Sequence, residues 1–291
     1  MKISIFGWEN KQLGQLPRIR AGFLELGHEI IEDGDCDFIY SHDSSVWDKS
    51  IEYKQKYPNS KLLLKVLDLP LHISNDLSKM EEQLKYADVV LANSQHVKKE
   101  IKEFLGLNSV VVYDVPHDIY PTNNTKKDID YLMTGRLADP NKRAFLVKDL
   151  FNIYYDKYKT KIFVTCGSEY PGFGKNHLGI VTSEILNEIY NRTKIVFAFG
   201  KREGIGLQIL ESILAHVPVL TLSDCPTNFE FCPSQLICLP NIEEINRKII
   251  DIEDNYVWYK NLVIDVSKEY KIKFSPKRVC QRIIEAYNNL L

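Results

Sequence analysis

The sequence predicts an α/β protein made of two doubly wound domains in tandem, each a parallel sheet covered by helices on both faces. Three observations carry this. Apolar runs of strand length alternate with helix-periodic segments almost from end to end. The strand candidates are apolar along their whole length rather than at every second position, as in strands buried on both faces. The alternation breaks at the polar stretch 118–130 (DIYPTNNTKKDID) and then starts again, as it does when one domain gives way to another.

In the first half, strands are expected at 2–7, 28–32, 36–41, 61–67, 88–93 and 110–115, with helices near 14–26, 45–57, 75–86 and 95–105. In the second half, strands are expected at 130–134, 161–166, 194–199, 218–222 and 235–239. Helices near 143–156, 181–191, 207–216, 241–250 and 275–290 lie between or after them. This places one domain at 1–120, a second at 121–274 and a terminal helix at 275–291. Val279, Ile283, Ile284 and Tyr287 share one face of that helix, which is expected to cross back and brace the first domain. Sheets of this kind take ligands beyond the carboxyl ends of their strands, so the two domains are expected to face a cleft.

Composition narrows the partners. The apolar fraction is 44% and the net charge −2, which gives no overall attraction to nucleic acid or to an anionic membrane. No run reaches the roughly 20 apolar residues of a membrane span, although this leaves peripheral membrane contact open. Met1–Gly7 lacks the length and cleavage site of a signal peptide. The six cysteines (36, 166, 225, 232, 238 and 280) show no paired short spacing, so free thiols in a reducing, cytoplasmic setting are expected. Asp33-Gly34-Asp35 and Asp35-Cys36-Asp37 have a D-x-D spacing, but between two strands they read as turn residues rather than metal ligands. Pro171-Gly172-Phe173-Gly174-Lys175-Asn176 lacks the Walker pattern and reads as a mobile loop over the cleft.

The chemistry concentrates in Phe199-Gly200-Lys201-Arg202-Glu203-Gly204-Ile205-Gly206-Leu207-Gln208-Ile209-Leu210-Glu211. A strand ends, a Gly-spaced turn follows, and a helix starts near Leu207. Gly204 and Gly206 let backbone approach a ligand closely, and the amides of Gly204, Ile205, Gly206 and Leu207 are expected to point out of the helix start at a diphosphate. Glu211, one turn into the helix, can accept two hydrogen bonds from a vicinal diol such as a ribose. Glu203, before the turn, is expected near the group on the far phosphate, both carboxylates being wet.

Glu203, seven residues and Glu211, with E-G-I-G-L and then E-S-I-L-A-H-V-P-V-L, resemble the E-x7-E segment of retaining glycosyltransferases with the GT-B fold. The most similar is glycosyltransferase family 4, whose version reads like E-G-F-G-L-x-x-x-E-A-x-A-x-G-x-P-V. Ser212 stands where Ala is common there, and His216 where Gly is common. Gly135-Arg136-Leu137 resembles the family's G-R-L segment, which implies that Arg136 and Lys142 grip the diphosphate. Ala138-Asp139-Pro140-Asn141 lengthens this loop, leaving Arg143 as a competitor for the lysine role. Thr165-Cys166-Gly167-Ser168 resembles the family's G-x-G at the nucleobase pocket. Ala87-Asp88-Val89-Val90-Leu91-Ala92-Asn93-Ser94 resembles its A-D-x-V-x-x-x-S, with Ser94 a helix cap.

The same resemblance implies further residues in the first half. Gly14 stands where the family places a glycine loop near the phosphates, and His72 where it places a histidine facing the transferred sugar. Val115-Pro116-His117-Asp118 replaces the usual P-N-G-V-D. His42 and His117 also follow strands and are candidates to line the cleft, whereas His28 reads as a structural turn residue and His96, His177 and His216 as background.

What the resemblance implies is a GT-B-like pair of Rossmann-type domains. Such an enzyme moves a sugar from a nucleotide-diphosphate sugar with retention, using no metal and no cofactor, and Glu203 and His72 are its catalytic candidates. The acceptor, whether glycan, lipid-linked or small molecule, stays open. Two alternatives remain: another GT-B sugar-nucleotide enzyme such as a 2-epimerase, or a catalytically silent sugar-nucleotide or glycan-binding protein.

Overall fold

The computed structural model describes residues 1–7, 15–69, 77–122, 125–172 and 176–290. The chain divides into two compact units, one formed by Met1–Val115 with Ile272–Leu291 and the other by Pro116–Lys271.

The first unit contains β1 (Lys2–Phe6), α1 (Leu16–Glu25), β2 (Glu29–Ile30), β3 (Phe38–Ser41), α2 (Trp47–Lys56), β4 (Lys61–Val66), α3 (Ser78–Leu84), β5 (Val89–Ala92), α4 (Gln95–Leu105) and β6 (Val110–Val111). Its six strands are parallel in the order β2-β1-β3-β4-β5-β6. The central strands are mostly apolar because both faces are covered. Phe38 and Tyr40 of β3 join Ile19 and Phe23 of α1 in one core, while Ile39 between them joins Trp47 of α2 and Ile101 of α4 in the other. Ser94 caps α4 by accepting from the Val97 amide at 3.1 Å, and Gly106 ends it in a left-handed conformation.

The second unit contains β7 (Ile129–Arg136), α5 (Ala144–Ile153), α6 (Tyr155–Tyr158), β8 (Phe163–Glu169), β9 (Asn176–His177), α7 (Ser183–Arg192), β10 (Thr193–Ala198), α8 (Leu207–Leu214), β11 (Val219–Leu222), α9 (Asn228–Phe231), β12 (Ile237–Cys238), α10 (Ile242–Asp254) and α11 (Tyr256–Lys273). Its parallel strands run β12-β11-β10-β7-β8-β9, which is the 3-2-1-4-5-6 order of a Rossmann sheet read from the far edge. The order reverses between β7 and β10. The polar stretch expected to separate the domains begins inside this unit. The Tyr120 amide donates to Asn187 and the Thr122 amide to Asn191, both on α7, at 2.9 and 2.7 Å.

The last helix, α12 (Pro276–Asn288), packs in the first unit, where Val279, Cys280 and Ile283 enter the core of α1. Gly22 of α1 makes this contact possible, since a Cβ there would stand 2.5 Å from the Pro276 carbonyl oxygen. All six cysteines are buried free thiols. Asp33 is held in its turn by Lys56 and Tyr57. Among the described residues no helix is long and apolar enough to cross a membrane.

Two expectations need correction. The strand expected over 110–115 pairs only at Val110–Val111. Beyond it, side chains hold the backbone instead: Lys65 donates to the Tyr113 carbonyl at 3.1 Å, and Gln15 accepts from the Val115 amide at 3.2 Å. The second is α11, 18 residues long and absent from the sequence reading. Its buried positions, Tyr259, Val263, Ser267 and Tyr270, do follow a helical period, but Ser267 interrupts the apolar stripe. Val257, Trp258 and Ile272 lie exposed off it, which blurs the pattern.

Candidate functional site

The segment 199–211 sits in the second unit at the carboxyl end of β10, beside β7. In a sheet of this order that reversal point is where ligands dock. Close backbone approach shapes the neighbouring strand ends. Gly135 and Gly167 have φ of +112° and +151°, and a Cβ on Gly167 would stand only 1.7 Å from the Gly135 carbonyl oxygen. Gln208 of α8 reaches across to the Thr134 carbonyl at 3.1 Å and ties the helix start to β7.

Asn141 fastens the 135–142 loop to the 200–206 loop. Its carbonyl accepts from the Lys201 amide, its side-chain oxygen accepts from the Arg202 amide, and its Nδ2 donates to the Arg202 carbonyl, all at 2.8–2.9 Å. Thr227 donates to the Glu203 carbonyl at 2.6 Å. With its backbone held on both sides, Glu203 presents its carboxylate to the Lys142 ammonium at 2.6 Å. Both side chains are mostly buried, at 16% and 14% exposure.

The neighbouring Arg143 has a different job. Its guanidinium donates to both carboxylate oxygens of Asp224, at 2.8 and 2.9 Å, and to the Phe199 carbonyl at 2.7 Å. It is buried and bolts the helix start of α5, in a left-handed backbone conformation, to the end of β10. Of the two rivals for the lysine role, Lys142 stands beside Glu203 and Arg143 is committed to Asp224. Arg136 is largely exposed, 3.5 Å from Asp139.

Among the described residues no side chain caps α8. Gly204, Ile205 and Gly206 are buried around its start. One expected amide is already used: Gly206 adopts φ −79° and ψ 82°, and the Leu207 amide turns back onto the Ile205 carbonyl at 3.0 Å. This is an inverse γ-turn, and it removes Leu207 from the set that can meet a ligand. Gly206 O then accepts from Ile209 and Leu210.

Glu211 departs furthest from expectation. It is not wet: its side chain is 4% exposed. Oε1 accepts from His117 Nδ1 at 2.5 Å, with the His117 backbone amide at 3.5 Å, and Oε2 accepts from the Tyr190 hydroxyl at 2.8 Å. Burial by itself would raise the carboxyl pKa. The charge and hydrogen bond of His117, with the Tyr190 hydroxyl, outweigh it and hold Glu211 below its ordinary value. Burial and the facing Glu211 push Tyr190 well above its own, so it stays a proton donor. His117 is the second residue of the second unit, and the sequence offered it only as a histidine after a strand. Tyr190 gave no signal, because on α7 it reads as part of the apolar stripe. Gly14, His72 and residues 173–175 of the 171–176 loop lie outside the described residues.

No protein-family model and no curated protein sequence matches the chain. Solved structures do. HepE of Anabaena, crystallised with UDP and glucose, aligns with a TM-score of 0.77 and 14% identity over 99% of this chain and 100% of that one. A sucrose-phosphate synthase of Thermosynechococcus elongatus aligns at 0.75 and 12% identity over 100% and 99%. The pneumococcal O-GlcNAc transferase GtfA, in complex with UDP and GlcNAc, aligns at 0.66 and 12% over 94% of this chain and 59% of that one. The fold is that of the GT-B glycosyltransferases: two parallel six-stranded sheets, each flanked by helices.

Proposed function

We propose that this protein is a retaining glycosyltransferase of the family 4 type, taking a sugar from a nucleotide-diphosphate donor without a metal ion. The observation that carries the reading is the uncapped start of α8, delivered by a pinned glycine loop next to the Lys142–Glu203 pair at the reversal point of the sheet. A helix start with its first amides unclaimed by any side chain attracts a diphosphate. Lys142 has three ammonium protons, of which Glu203 takes one, so two remain for phosphate oxygens. Arg136 is free to swing from Asp139 onto the same group. These cations and the helix end suffice to balance the leaving diphosphate, which is why a divalent ion is not required in this reading.

In the transfer, the bond from the sugar's anomeric carbon to the diphosphate oxygen breaks and a bond from that carbon to an acceptor oxygen forms on the same face. The acceptor proton passes to the departing diphosphate oxygen. Glu203, anchored by Lys142 and Thr227, faces the transferred sugar and supports the positive charge that develops on it. Glu211 takes the ribose. HepE and GtfA were crystallised with UDP, which makes UDP the first nucleotide to try. The acceptor is a glycan, a lipid-linked glycan or a small molecule bound in the first unit.

Thermal unfolding with UDP, GDP and ADP, in EDTA and in manganese, tests this, because a ligand of the native state raises its melting temperature. A rise in EDTA with one of the three is expected. No rise with any of them removes the nucleotide site, and a rise confined to manganese removes the metal-free mechanism.

A further inference from the structure

Glu211 already accepts close to as many hydrogen bonds as it can. A carboxylate offers about four lone-pair sites. Here His117 Nδ1 and, at longer range, the His117 amide occupy two on Oε1, and Tyr190 occupies one on Oε2. A ribose diol brings two further donors and one site remains, so one present donor must leave. Tyr190 is 0% exposed and fixed on α7. His117 lies in a segment without regular structure, and its Nε2 is buried with no hydrogen-bond partner among the described residues, where only Glu211 fixes the ring by hydrogen bonding.

We infer that His117 is a stopper on Glu211: its imidazole N–H stands where the ribose diol docks, and a ribonucleotide binds by displacing it. The inference rests on the nucleotide reading above and adds the residue that sets the cost of the 2′-hydroxyl. A 2′-deoxyribose presents a single donor, fits the remaining lone pair and leaves His117 in place.

The test is calorimetric affinity for UDP and 2′-deoxy-UDP in the wild type, His117→Ala and His117→Asn. The Asn amide retains a donor near the position of Nδ1. His117→Ala is expected to bind UDP about tenfold more tightly, the worth of one charge-assisted hydrogen bond no longer displaced. Its affinity for 2′-deoxy-UDP should stay unchanged, and His117→Asn should behave like the wild type. Weaker UDP binding in His117→Ala, restored in His117→Asn, overturns the inference and makes His117 a positioning group for Glu211. Equal changes for both nucleotides also overturn it, since the diol is then not involved. Should His117→Ala fail to show a cooperative melt, His117→Ser gives the same comparison. Failure of either nucleotide to bind any variant sinks the nucleotide reading itself, an outcome distinct from binding with an unchanged preference.

Discussion

Glu203 and Glu211 are the same side chain at the two ends of one segment, and the fold treats them differently. Glu203 sits on a loop, partly reached by solvent, with one cation against it. Glu211 sits on a buried helix face with its oxygens filled by an imidazole and a phenol. Sequence spacing alone makes them a pair. Their surroundings leave one with a single cation near solvent and enclose the other among donors that a ligand has to displace.

The largest expected effect follows from that difference. Glu211→Ala leaves His117 Nδ1 and the Tyr190 hydroxyl buried without an acceptor, and should cost about 3–5 kcal/mol of unfolding free energy. Glu203→Ala breaks a pair nearer the surface and should cost about 1 kcal/mol. Urea denaturation of both variants checks this, and equal costs would erase the distinction. The pH dependence sharpens it. The folded-state pKa of Glu211 lies below its ordinary value of 4.5, so its contribution is fully present above that value. It is lost as pH falls through the lowered folded value. The acid limb of stability against pH should therefore be shallower in Glu211→Gln than in the wild type. An unchanged limb would show that the carboxylate is not held ionised by its partners.

The neighbouring cations Lys142 and Arg143 give the next test. Arg143→Ala removes three hydrogen bonds that join α5, β10 and Asp224, and should cost about 2–3 kcal/mol. Lys142→Ala should cost less stability but lower diphosphate affinity in calorimetry, while Arg143→Lys, unable to form the two-pronged contact, should rescue Arg143→Ala only in part. Loss of diphosphate affinity in Arg143→Ala without loss of stability would exchange their roles.

Much of the architecture is legible in the sequence because parallel strands buried on both faces are mostly apolar, as the runs Leu62–Leu64 of β4 and Ile195–Ala198 of β10 show. Helix starts are legible where a side chain caps them, as Ser94 does for α4. What escapes is decided by tertiary contact. Tyr190 meets Glu211 through folding across 21 residues and His117 meets it across 94, and neither distance leaves a local pattern. The Gly206 γ-turn is invisible for another reason, since the same Gly-x-Gly spacing serves several backbone paths.

The smallest effect concerns a departure from the family-like pattern whose reason is now visible. Where glycine is common, this chain has His216, two residues past the end of α8, with φ +60°. A left-handed conformation costs a residue with a Cβ about 1 kcal/mol relative to glycine, which explains the glycine preference. His216 offsets that cost with a hydrogen bond to Ser267 of α11 at 3.0 Å. The Ser267 proton is directed to the Ile264 carbonyl at 2.7 Å, so His216 Nε2 is the donor of the pair. His216→Gly loses the hydrogen bond and relieves the backbone, two terms of about 1 kcal/mol each, and its stability should match the wild type closely. His216→Ala loses the bond and keeps the strain, and should fall about 1–2 kcal/mol below both. Urea midpoints of the three proteins separate these outcomes. Equal midpoints for Gly and Ala would mean that the backbone stores no strain at 216 and that the Ser267 bond is the whole effect, while an alanine variant as stable as the wild type would mean that the bond contributes nothing.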